Sequence, residues 1–269
     1  MASLSTATDG EITEFKGRLS RAGFTAEIVR EVNRYDDMAG IMYQALMRHP
    51  YFSPVHGLFT SAEDQIARVR ALNLERGWGI SDQAFVEAEK SVPAWREERL
   101  VAVVLVPYLA DKMNEDDTVT AGIERTFHEL WACAKAEQDA SWRWGGYDQA
   151  GSEQLRLLKC TAQYQRGLRW EVIDLGCQRN QKPMDVRDPE KSPHAGILAA
   201  AALHPQWVKS MDGDKVPYVW IPGYEVNVPG ENPWGRAPRL NFSCGDCEIE
   251  LYCICCGDYD SGWAVPSFV

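Results

Sequence analysis

The hydrophobic positions change period near residue 100, and that change divides the chain. Before it the spacing is helical. Ile28, Val29, Val32 and Tyr35 recur at i, i+1, i+4 and i+7 behind Thr25, a candidate N-cap. Asp36 and Asp37 restart the pattern, and Met38, Ile41, Met42, Ala45 and Leu46 make a second stripe that ends before Pro50. Ser61 with Asp64 three residues on resembles a capping box, opening a helix that carries Ile66, Val69 and Leu72 and stops at Gly77. A fourth helix is predicted from Ser81 to about Lys90.

From Leu100 the pattern becomes that of a strand. Val101 to Val106 is a largely β-branched run with no polar interruption, as expected where both faces are covered. Asn114 to Thr118 reads as a loop. Gly122 to about Glu137 reads as a helix with Ile123, Phe127, Leu130 and Trp131 on one side. The turn-rich Trp142 to Asp148 is the best candidate for a boundary. Beyond it, Leu168 to Leu175 is a predicted strand and Gly176 to Lys191 a polar loop. Ser192 and Pro193 have the N-cap and N1 residue types for a helix through the alanine-rich Ile197 to Leu203. Pro205 ends or kinks that helix. Val216 to Ile221 is a strand whose proline at 217 marks an edge or a start. The expected class is α+β: a frayed tail over 1–10, a mainly helical part with one buried strand over 11–145, and an α+β part over 146–269. The last two are either separate or one domain.

Composition and charge remove several function classes. The chain has 269 residues, 45% hydrophobic and 25% charged, ordinary for a globular protein. Its longest apolar run, Leu100 to Leu109, is about half a membrane span and contains Pro107. The first residues lack a basic start and an apolar core, so a cytoplasmic protein is expected, with no membrane partner. The net charge is −11; residues 151–200 hold 8 basic and 6 acidic side chains, leaving −13 for the remainder. An acidic surface without a basic stripe disfavours nucleic acid as a partner.

The most specific-looking signal is a pair of cysteine knuckles, Cys244-Gly-Asp-Cys247 and Cys253-Ile-Cys-Cys256. One tetrahedral zinc needs four sulfurs about 2.3 Å from the metal. The residues between the pairs, Glu248 to Tyr252, alternate as a strand should, and six extended steps cover roughly 20 Å. A hairpin fits better: Gly245-Asp246 is a two-residue turn, Cys244 faces Cys247, Phe242 faces Ile249 and Leu240 faces Leu251. Cys253 and Cys255 then continue that face, while Glu248, Glu250 and Tyr252 point away. The cysteines act as small buried hydrophobes, and no cofactor is needed. Zinc on Cys244, Cys247, Cys253 and Cys256 is the alternative; a disulfide across the turn is disfavoured in the cytosol.

Other motifs are incomplete. Asp258, Asp260 and Gly262 begin like a calcium loop, but the closing glutamate is absent. His128-Glu129 starts a zincin motif, but position 132 is alanine. The chain contains no dinucleotide, P-loop or nucleophile-elbow motif. The best constellation is Glu171 and Asp174 on a strand, Asp185, Arg187 and Asp188 in the following loop, and Ser192 and His194 at a helix start. A helix N-terminus with a nearby arginine holds anions, and carboxylates with histidine do acid–base chemistry. Against this, Ser192 can simply cap the helix and Arg187 pair with an aspartate.

There are ten tryptophans, mostly at element ends and turns. Trp142, Trp144 and Trp234, beside glycine and charge, are the candidates for exposed contact residues. The segments LRWEVIDLG, DVRDPEKSPHAGILAAAALHPQWVKSMDG, VPYVWIPGYEVNVPG, NPWGRAPRL and WAVPSF resemble a family of uncharacterised proteins from small-genome candidate-phylum bacteria. The resemblance covers about the last 100 residues and the helical half only loosely. It implies no activity or cofactor, and implies that Arg187-Asp188 and Ser192-Pro193-His194 belong to a shared design. Three functions are thus expected in order. The first is a non-enzymatic binding protein for a protein or small molecule, using tryptophan-rich turns around the C-terminal sheet. The second is a hydrolase-like enzyme using Asp185, Arg187, Asp188 and His194. The third is a zinc-stabilised module.

Overall fold

A computed structural model describes residues 57–94, 100–109, 121–137, 141–143, 155–157, 166–228, 234–243, 248–258 and 261–269. All of them lie in one compact unit, Gly57–Val269. The two helices expected over 28–46, the loop over 114–118 and the break from Trp144 to Asp148 lie outside the described residues.

The first two helices start and stop where the capping residues place them. Helix α1 (Ala62–Arg76) is opened by Ser61, whose hydroxyl accepts from Asp64 N at 3.1 Å, and closed by Gly77 at φ 62°. Helix α2 (Asp82–Lys90) is capped in the same way by Ser81. Strand β1 (Val101–Tyr108) is buried from Ala102 onward, as its unbroken apolar run requires. After helix α3 (Ala121–Glu137) come two short strands, β2 (Ser141–Arg143) and β3 (Leu155–Leu157). Strand β4 (Gly167–Asp174) then pairs antiparallel with β1 over all eight residues, Val101 opposite Asp174 and Tyr108 opposite Gly167.

The other edge of β1 is closed by a side chain. Gln65 of α1 is fully buried; its amide donates to Val103 O at 2.9 Å and accepts from Leu105 N at 3.0 Å, imitating one rung of a strand. Leu109 N on the same edge donates to Thr126 Oγ1 at 3.2 Å. Pro107 falls in this alternation, where its missing N–H costs no ladder bond.

The loop expected between 176 and 191 contains a short helix, α4 (Pro183–Val186), tied down by Met184 N donating to Cys256 O at 3.1 Å. The alanine-rich helix α5 (Ala195–Leu203) follows, with all nine residues buried between β1 and α3. Small side chains let it sit that deep. It starts two residues later than Ser192-Pro193 suggests. Pro193 O accepts from Gly223 N at 3.0 Å and is drawn away from the helix, so His194 becomes the cap. Helix α6 (Pro205–Lys209) continues after a bend at His204.

The remaining strands form a second sheet. They are β5 (Tyr218–Trp220), β6 (Tyr224–Val226), β7 (Arg236–Ser243), β8 (Glu248–Cys255) and β9 (Trp263–Ala264), in the order β2-β8-β7-β5-β9 with β3 and β6 attached. The hairpin register is the one the alternation gives: Phe242 opposite Ile249 and Leu240 opposite Leu251. Cys253 is buried in that phase, whereas Cys255, next in the alternation, is exposed. The cysteines of the turn, Cys244 and Cys247, lie outside the described residues. The last strand, β10 (Ser267–Phe268), joins β4. The protein is α+β, and no described helix is long and apolar enough to cross a membrane.

Candidate functional site

Two places gather polar chemistry: the buried start of α5 and the outward face of the C-terminal sheet. At the first, Glu171 stands on β4 in the phase of Ile173, pointing into the core. It is 3% exposed. Tyr108 at the end of β1 donates a short hydrogen bond to its Oε1. Its Oε2 has no hydrogen-bond partner among the described residues. That oxygen lies against the backbone of Gly196, where a Cβ would stand 2.1 Å from it. Only glycine leaves room for the carboxyl there. Burial raises the Glu171 pKa to about 7, against the opposing pull of the Tyr108 hydroxyl and the Arg169 charge.

His194 closes the same corner, also 3% exposed. Its Nδ1 accepts from Ala195 N at 2.7 Å, capping the helix with an imidazole in place of a hydroxyl. A neutral ring that accepts at Nδ1 carries its proton on Nε2. The ring stands edge-on to Tyr108 at 5.8 Å and to Tyr224 at 5.7 Å. Phe127 of α3 packs on Tyr224 at 5.2 Å. Burial lowers the His194 pKa to about 3, with the Arg169 charge adding to the effect. The corner therefore holds a protonated carboxyl and a neutral imidazole over a wide range of pH.

The other residues of the expected constellation do not join them. Asp185 is exposed on α4. Arg187 turns to Glu225 of β6, with Nη2 2.8 Å from Oε1, and donates through Nη1 to the Cys256 thiol at 3.4 Å. Burial pushes that thiol up to about 11 although Arg187 opposes it. Asp188 shapes a turn: its N donates to Ser192 Oγ at 3.0 Å, its Oδ1 accepts from Glu190 N at 2.9 Å, and its carbonyl accepts from Ser192 N at 2.8 Å. Ser192 is buried in this turn. The loop residues thus anchor α4 and lead into α5, and of the four catalytic candidates only His194 reaches the corner.

On the second surface, Arg239 of β7 and Tyr252 of β8 are cross-strand partners. The Arg239 guanidinium lies 4.3 Å from the Trp263 ring centroid and 5.4 Å from that of Tyr252. Tyr218 and Trp220 of the intervening strand β5 reach Trp263 at 5.1 and 6.0 Å. Arg239, Tyr252 and Tyr218 are half-buried, while Trp263 and Trp220 are buried beneath with Ala237, Cys256 and Val265. On the next rung Asn241 Nδ2 donates to Glu250 Oε2 at 2.5 Å. Of the expected contact tryptophans, Trp234 is half-buried at φ 58°, Trp142 sits on β2 in register with Glu250, and Trp144 lies outside the described residues. Cys253 and Cys256 fall on opposite faces of the hairpin, one in the phase of Leu251 and the other in the cluster around Trp220.

Sequence reasoning missed Tyr108, which reads as the end of an apolar strand, and Arg239, which reads as an ordinary outward charge. Glu171 carried a usable signal: it is an acidic residue in the phase of Ile173. No protein-family model, curated protein or solved structure matches the chain.

Proposed function

We propose that this chain is a non-enzymatic binding protein for a protein or small-molecule partner, and that its contact surface is the outward face of the C-terminal sheet. The observation that carries the reading is the ladder in which the half-buried Arg239 lies between Trp263 and Tyr252. Aromatic and arginine side chains held rigid by stacking lose little freedom on binding, and they dominate contact surfaces. Trp142 belongs to the same sheet by its pairing with β8. A cytoplasmic setting fits the free thiols of Cys255 and Cys256. The resemblance to the candidate-phylum family stands on the same footing, since its segments include Tyr218, Arg239 and Trp263.

The enzymatic alternative is weaker because Arg187 is engaged by Glu225 and the His194 Nδ1 is used as a helix cap. Zinc is weaker still, because Cys253 and Cys256 face apart. The test is site-specific photo-cross-linking in a native lysate, with the photoreactive residue at position 252 or, as control, at the exposed Glu87 of α2. A discrete adduct at 252 that is absent at 87 and lost with Arg239→Ser is expected. Identical adduct patterns at the two positions would sink the reading.

A further inference from the structure

We infer that Glu171 and His194 form a compensating pair at the start of α5: closed, both are neutral, and opening the corner moves one proton from the carboxyl to the imidazole. The start of the helix then stays equally closed over a wide span of pH. Neither side chain could do this alone.

The argument begins with geometry. Both side chains are 3% exposed and both abut the first turn of the same helix, Glu171 against Gly196 and His194 on Ala195 N. Gly223, in the turn before β6, closes the corner, since a Cβ there would stand 2.8 Å from His194 Cβ and 2.7 Å from Ser192 O. A motion that lifts this turn off β4 therefore exposes both groups to water. The groups facing them are Tyr108 from β1, Arg169 from β4 and Tyr224 from β6. Glu225, next on β6, is matched by Arg187 of the α4 loop. From α3 the residues at this corner, Thr126 and Phe127, carry no charge. No described cation is packed against the Glu171 carboxyl; Arg169 acts on it through its field and is itself exposed.

In the closed corner an ionised Glu171 would leave one oxygen bare in an apolar setting, and a charged His194 would lose the Ala195 cap. Both stay neutral. Once the turn lifts, water reaches both groups and their ordinary preferences return, so the carboxyl releases its proton and Nδ1, freed from Ala195 N, takes one up. The bond broken is O–H on Glu171, the bond formed is N–H on His194, and no net proton enters or leaves between about pH 4.5 and 6.5. Either group alone would make the opening strongly pH-dependent, in opposite directions.

The experiment is amide hydrogen exchange of residues 195–198 in the full chain between pH 5.5 and 8.5, with rates divided by their intrinsic values. Wild-type protection should change by no more than about threefold. Glu171→Gln, which keeps an acceptor for Tyr108, removes one side of the balance, and protection should rise about tenfold with pH. His194→Asn, which keeps a short capping side chain, removes the other, and protection should fall about thirtyfold. A tenfold wild-type change, or variants that shift in the same direction, overturns the inference. If neither variant folds, the carboxyl carbon resonance of Glu171 decides it in the wild type: a neutral carboxyl at pH 5.5 supports the pair, and a carboxylate refutes it.

Discussion

Glu171 and Glu225 are both buried glutamates, and the fold accommodates them in opposite ways. Glu225 is given a cation: Arg187 leaves its loop to meet it at 2.8 Å, with both side chains largely shielded. Glu171 is given a phenol, a glycine and an imidazole that stays neutral. The first solution keeps charge and adds a partner; the second removes the charge. Burying a lone ion costs far more than either, so a chain that buries carboxyls must adopt one of the two. The loop from 182 to 194 serves both, since it delivers Arg187 to one glutamate and His194 to the corner of the other.

The largest effect is expected where a charge loses its partner. Arg187→Met should destabilise the protein in urea unfolding, by up to about 3–5 kcal/mol, because the buried Glu225 loses the cation that meets it at 2.8 Å. Adding Glu225→Gln should return most of it, since replacing both members of a buried pair is far less costly than removing one. A single variant as stable as the wild type would mean that Glu225 finds water, and the contrast between the two glutamates would fail. At Glu171 the corresponding steric change is smaller. Gly196→Ala places a methyl 2.1 Å from Oε2 and 2.6 Å from Ile173 Cδ1, which must move apart. Overpacking of this kind costs about 1–3 kcal/mol, partly offset by the better helix propensity of alanine. A stability gain would show that the corner is loose.

These positions show what could be read from the chain. Capping residues, the apolar run of β1 and the alternation of the hairpin all act locally, so Ser61, Gly77, Leu240 and Ile249 reveal their roles in one dimension. The α+β class follows from them. The pairing of β1 with β4 across about 60 intervening residues does not, nor does the meeting of Tyr108 with Glu171. Arg187 was recognisable as a residue seeking a carboxylate, but the sequence offers Asp185 and Asp188 beside it and conceals Glu225 far away. Ser192 illustrates the converse: its residue type suits a cap, yet the backbone bond from Gly223 N to Pro193 O moves the helix start to His194. The stacking of Arg239 on Trp263 likewise depends on a strand that joins the sheet from the end of the chain.

Global stability should depend on pH more steeply than the corner does, because one more buried histidine joins the balance. His194 and a second buried histidine, His204 at the end of α5, are both lowered to about 3 by burial. The unfolded chain therefore takes up two protons near pH 6.5 that the folded chain refuses, and stability falls as pH drops below that value. Glu171 works against this: raised to about 7, it holds a proton in the folded state that the unfolded chain releases above about pH 4.5, so its contribution is present at low pH and lost on the way to 7. Two histidines against one carboxyl leave a net loss of about 1.4 kcal/mol per pH unit between pH 6.5 and 4.5. Glu171→Gln should roughly double that slope. An unchanged slope in urea titrations would mean that Glu171 is ionised when folded.

The smallest expected effect isolates the phenol that distinguishes the two solutions. Tyr108 donates to Glu171 Oε1, and that bond favours the ionised carboxyl, opposing the effect of burial. Removing it with Tyr108→Phe should therefore move the Glu171 titration upward, away from the ordinary carboxyl range. Near pH 5, where the carboxyl is neutral with or without Tyr108, the change should cost about 1 kcal/mol, an ordinary neutral hydrogen bond. Above pH 8 the same variant should cost more, because a charged acceptor then loses its donor. The two glutamates are thereby separated by one measurement: Tyr108→Phe should leave the effect of Arg187→Met unchanged, so that the two losses simply add in the double variant. Strong coupling between them would join the ion pair and the neutral corner into a single network, and the division between a charge that is partnered and a charge that is removed would no longer describe this core.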